Sequence, residues 1–160
     1  DAIAEARAAG STIAFDPNYR PRLWNSPGDA TLAMANALAI TDIALPTFPD
    51  EEMLFGDARP AATAERINGF GVKEIVVKDG SEPALVTAGG ASETVPAVHV
   101  AAPVDTTGAG DSFNGAYLAA RLLGHEPAEA ARRAHQVAAA VVQVRGALAP
   151  FATLRSAFSG

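Results

Sequence analysis

Asp105-Thr106-Thr107-Gly108-Ala109-Gly110-Asp111 is the stretch that decides the fold of this chain. Residues 95–100 before it are rich in valine, as a strand is. Residues 112–123 after it carry Phe113, Ala116, Tyr117, Ala120 and Leu123 at helical spacing. The pattern predicts a tight glycine loop that opens a helix. Unpaired amides at the positive end of a helix dipole suit an anion such as phosphate. Gly108 and Gly110 allow backbone angles and close approach that a β-carbon forbids. A carboxylate beside an anion site repels the anion, so Asp111 makes chemical sense there as a base for a hydroxyl that attacks phosphorus. Taken alone, Gly-Ala-Gly-Asp also fits a plain turn with Asp111 as a helix cap.

Two other phosphate loops are excluded. No glycine is followed by Lys-Ser or Lys-Thr, so there is no Walker A loop. Phe113 stands where a dinucleotide fingerprint needs a third Gly or Ala. The full string, Asp105 through Asp111 to Phe113, resembles the C-terminal signature of the ribokinase-like, or PfkB, carbohydrate kinases, close to D-T-T-G-A-G-D-x-F. The resemblance implies that Gly108, Ala109 and Gly110 form the anion hole with Asp111 as catalytic base.

The 160 residues suffice for one domain, and 49% hydrophobic with 19% charged residues is a globular composition. A net charge of −6 argues against nucleic acid and anionic membrane surfaces. With no cysteine there is no disulfide or thiolate metal site, which fits a cytoplasmic protein. No apolar run approaches the roughly 20 residues of a membrane span. The chain starts without Met, and ribokinase-like kinases run to about twice its length. Residues 1–160 are therefore expected to be the C-terminal part of such a kinase domain, carrying the ATP-binding side and the catalytic base. The N-terminal half, with the lid that often makes these kinases homo-oligomers, is expected to be missing.

Along the chain the expected elements are helices over 2–9, 27–38, 50–56, 60–70, 112–123, 127–144 and 153–158, with strands over 12–15, 43–45 and 75–78. A hairpin is expected over 84–87 and 93–95 around Gly89-Gly90. Alternating strands and helices predict an α/β fold, a three-layer αβα sandwich with a mostly parallel central sheet. Ligands of such sheets bind at the carboxyl ends of strands. Asp16, Thr47, Lys78 and Asp105 all follow predicted strands, which puts four polar stretches on one edge.

Where the family has Asn-x-x-Glu, this chain has Thr47 and Asp50, counting back from Leu54-Phe55-Gly56. Both keep oxygen ligands, so the resemblance implies a Mg²⁺ role for Asp50 or Glu52; an acidic first helical turn is the other reading. The resemblance also implies ATP contacts at Thr47, Lys78, Gly80, Ala102, Val104 and His135, besides Gly108 and Gly110. Lys78 reads equally as a solvated strand-end lysine, and His135 as one polar residue on an Ala-rich helix. His99 and His125 read as surface. A monovalent cation such as K⁺ is implied near Asp105 and Thr107, completed by residues 144–147.

The loop Asp16-Pro17-Asn18-Tyr19-Arg20-Pro21-Arg22-Leu23-Trp24 resembles the 2-keto-3-deoxygluconate kinases of this family more than its ribokinases or fructokinases. A guanidinium on a Pro-bracketed loop suits a carboxylate. Arg20, with Asn18, Asp16 and Asp111, is the expected substrate set, and Arg22 is the fallback. The competing reading has Arg20 pair with Asp16 to lock the turn. The expected function is ATP-dependent phosphorylation of a sugar acid. Its rivals are a kinase of a neutral sugar or nucleoside and a non-catalytic nucleotide-binding module.

Overall fold

The structure, a computed structural model, describes residues 2–159. In chain order its elements are α1 (Ala2–Ala8), β1 (Ala14–Phe15), a 3-10 turn (Pro21–Leu23), α2 (Pro27–Leu38), β2 (Ile43–Ala44), α3 (Phe48–Phe55), α4 (Pro60–Asn68) and β3 (Glu74–Asp79). There follow β4 (Glu82–Ala88), β5 (Ala91–Val95), α5 (Ala109–Leu122), α6 (Pro127–Val141) and α7 (Phe151–Ser159). The strands hydrogen-bond in the order β1-β2-β3-β4-β5. β1 with β2 and β2 with β3 pair in parallel. Two-residue links before and after β4 force the opposite direction on their strands, so the sheet is mixed. Gly89 and Gly90, at φ 58° and 81°, supply the positive φ pair that a tight hairpin turn requires.

The chain divides into two compact units. The first comprises residues 1–79 and 87–92, and the second 80–86 and 93–160. In the first, Val76 and Val77 of β3 and Leu38 of α2 are buried. The Ser26 hydroxyl caps α2 by accepting from the Asp29 amide at 3.1 Å, and Pro27 opens the helix. Tyr19, Ala30 and Met34 form a buried cluster with Phe15, Trp24, Leu54 and Phe55 packed around it. In the second, α5 packs on α6 and α6 on α7. Phe113, Ala116, Tyr117 and Ala120 are the buried stripe of α5 and face an alanine-rich helix that lets the axes approach.

Three expectations are corrected. The strand over 95–100 ends at Val95, and residues 96–104 form no strand, so Asp105 does not directly follow one. Pro96 and Pro103 lack the N–H that a ladder needs. The helix after the loop starts at Ala109 rather than Ser112, and Leu123 lies past its end and 69% exposed. α6 stops at Val141: the Gln143 amide turns to Ala140 O at 3.4 Å while its side chain donates to Ala139 O at 2.8 Å, and Val142 O accepts the Val104 amide at 2.7 Å and the Asp105 amide at 3.2 Å.

Candidate active site

In the second unit, residues 105–111 fold around one carboxylate. Asp105 Oδ1 accepts the Thr107 amide at 2.9 Å and Oδ2 accepts the Gly146 amide at 2.9 Å. The hydroxyl and amide of Thr107 and the Gly146 amide hold the Asp105 carboxyl below the usual carboxylate range. Gly108 caps α5 at φ 77°, and a Cβ on it would stand 2.9 Å from Ala147 Cβ. Glycine is thus required there both by backbone and by space. Gly110 lies inside the helix, so its expected special backbone is corrected to an ordinary helical one.

The Ala109 amide donates to Thr106 O at 3.2 Å, and the Ser112 amide begins the helical ladder to Gly108 O at 2.9 Å. Between them the amides of Gly110 and Asp111 occupy the first helical turn, where the ladder supplies no acceptor. Asp111 is exposed in that turn. Ala102 and Val104 are exposed on the strandless segment.

His135 lies on α6. It is buried, its ring edge-on to Phe113 at 5.0 Å. Burial pushes the imidazole below its usual range, against a hydrogen bond with the Val95 backbone, and Nε2 has no partner. His99 is exposed and His125 half-buried.

The first unit carries a second cluster. The Lys78 ammonium donates to Asp16 Oδ2 at 2.8 Å, and the Arg20 guanidinium meets Asp50 Oδ2 at 3.3 Å. This corrects two alternatives at once: Lys78 is buried rather than solvated, and Arg20 pairs with Asp50 rather than with Asp16. Thr47 bridges to Lys78 in parallel and stands at the N-cap position of α3, where its carbonyl accepts the Asp50 amide at 3.0 Å. Asp50 lies half-buried in the first turn of α3; burial raises its pKa against the pull of Arg20. Asn18, exposed, donates its amide to Asp16 Oδ1 at 2.9 Å. Arg22 and Glu52 are exposed, and Gly80 turns the chain after β3 at φ 59°.

The buried member of the acidic turn is Glu51, which sequence reading passed over. It is 1% exposed and accepts from Arg66 at 2.6 Å. Burial raises its pKa despite that partner. Burial also acts on Asp57 but is outweighed by Arg66 and Thr63, so its pKa is lowered. The signal was weak because Arg66 lies 15 residues away on another helix.

No group of three or more His, Asp or Glu side chains poised for a metal occurs among the described residues. Magnesium keeps most of its waters and takes only one or two carboxylates, so Asp50 fits such an ion. Each Asp105 oxygen accepts one amide and keeps a further lone pair, so a monovalent cation still fits there.

This chain belongs to the pfkB family of carbohydrate kinases, whose pattern matches residues 1–154. It is 44% identical over 151 residues to the 2-dehydro-3-deoxygluconokinase of Dickeya dadantii, covering 92% of this chain and 49% of that protein. The chain therefore spans about half the length of the curated relatives it matches. Among solved structures it is similar to a putative ribokinase II from E. coli in complex with ATP and Mg²⁺, at 32% identity and TM-score 0.80, covering 91% of this chain and 47% of that one. It is also similar to the fructokinase from Vibrio cholerae O395 in its fructose, ADP and calcium ion bound form. There the identity is 27% and the TM-score 0.85, with 98% of this chain and 54% of that one covered. No helix among the described residues is long and apolar enough to cross a membrane.

Proposed function

We propose that the protein to which this chain belongs phosphorylates a sugar acid from ATP, with 2-keto-3-deoxygluconate as substrate. The observation that carries this is Arg20. Pro17 and Tyr19 are buried on either side of Asn18, so the loop is anchored before any ligand arrives. The Arg20 side chain is 56% exposed; its Nη1 donates to the Tyr19 carbonyl at 2.9 Å and to Asp50 Oδ2 at 3.3 Å, which leaves Nε and Nη2 for a carboxylate. Neutral sugars have no such group. The sugar-acid kinases at 44% identity support the same reading.

In this proposal Asp111 accepts the proton of the attacking hydroxyl as its oxygen bonds to the γ-phosphorus and the bond to ADP breaks. The Gly110 and Asp111 amides, with the α5 dipole, stabilise charge on the transferring phosphoryl group. Magnesium, when bound, neutralises phosphate charge, and Asp50 would hold it through water. No step runs through a monovalent cation.

The test compares kcat/KM for the sugar acid and for a neutral analogue in the full-length enzyme, wild type and Arg20→Ala. A charge-assisted hydrogen bond contributes about 1.5–3 kcal/mol, so Arg20→Ala should lower kcat/KM for the acid by about tenfold or more and leave the KM for ATP unmoved. An unchanged preference for the acid would turn the assignment to a kinase of a neutral sugar.

A further inference from the structure

Lys78 was expected to reach a phosphate, yet its environment suits another task. It is 6% exposed near the end of β3, and a lysine is rarely so buried unless paired. Its partner, Asp16, lies 62 residues away in the loop after β1. Asp16 divides its two oxygens: Oδ2 accepts from Lys78, and Oδ1 accepts the Asn18 amide. Asn18 is the one non-glycine residue among those described with positive φ, at 41°. Such a backbone persists when its surroundings over-determine it. The main chain of Lys78 is tied as well, its amide donating to Pro46 O at 2.9 Å beside the bridge to Thr47. That segment leads into α3, whose Asp50 meets Arg20.

We propose that Lys78 is a positioning residue for substrate recognition: it fixes Asp16, Asp16 fixes the left-handed turn at Asn18, and that turn presents Arg20. The inference rests on Arg20 as the carboxylate-binding group. Removing the ammonium takes the 2.8 Å donor from Asp16 Oδ2 and loosens the acceptor of the Asn18 amide, so the turn that presents Arg20 is less well fixed.

The experiment measures KM and kcat for sugar acid, neutral analogue and ATP in the full-length enzyme carrying Lys78→Met, with Arg20→Ala alongside. Methionine keeps the buried stem without the charge. The expected result is a rise of about tenfold in KM for the acid, an equal loss of preference over the neutral analogue, and an unchanged KM for ATP. A raised KM for ATP with the acid preference intact would make Lys78 a phosphate ligand and overturn the proposal. A lowered melting temperature with all kinetic constants unchanged would overturn it as well. If Lys78→Met does not fold, Asn18→Ala and Asn18→Gly read the same link. Glycine accepts the positive φ and alanine resists it, so alanine should lose the preference and glycine keep it. Equal behaviour of the two overturns the proposal. Arg20→Ala separates the failures: if it keeps the acid preference, the substrate reading falls. If it loses the preference while Lys78→Met does not, only the positioning role falls.

Discussion

Asp111 stands exposed in the first turn of α5. Asp111→Asn keeps the shape and removes the basicity. In the full-length enzyme it should reduce kcat by about 10²-fold or more and leave ATP binding nearly intact; wild-type kcat in steady-state assays would remove Asp111 from the base role. At this scale the sequence supplied residue identities but not their partners. Arg20, Asp16, Asp50 and Lys78 were all singled out, because charged residues after short apolar runs are visible in one dimension. The pairing was not visible: Lys78 to Asp16 spans 62 residues and Arg20 to Asp50 spans 30. Only the parallel register of β1, β2 and β3 brings these positions side by side.

Among the elements, the entry to α5 depends most on one residue. Gly108→Ala would force alanine into a left-handed backbone and its Cβ to within 2.9 Å of Ala147 Cβ. The strained conformation alone costs about 1–3 kcal/mol. The expected outcome is a lower unfolding midpoint in urea together with a large loss of kcat; wild-type values for both would show that the loop tolerates a side chain. Helix starts marked by proline were legible, as α2 and α4 begin at Pro27 and Pro60, where the pattern placed them. The Gly89-Gly90 hairpin was legible for the same local reason. The ends of α5 and α6 were not. A run of Gly-Ala-Gly reads as loop by propensity, yet Ala109 and Gly110 lie in the helix. The stop of α6 follows from Gln143, whose side chain takes the Ala139 carbonyl, which periodicity cannot register.

For the whole molecule, His135 predicts how stability responds to pH. Its imidazole is buried and held below the ordinary value of 6.5, with desolvation the main cause. The unfolded chain takes up that proton near pH 6.5, while the folded chain resists it. The contribution is thus complete above 6.5 and is lost as pH falls through the lower, folded value. The melting temperature of wild type should drop more between about pH 7.5 and 5.5 than that of His135→Gln, which cannot titrate; parallel curves would show that another group controls this window. Protonation of Glu51 and Asp50, whose values are raised, acts in the opposite direction. The Asp105 staple also dictates an order of assembly. Thr107 is two residues from Asp105, but Gly146 is 41 away, with α5 and α6 between. Closing so long a span waits on the structures inside it. The two helices must find each other first, so a refolding chain regains its helical content while the loop at Gly108 is still unset.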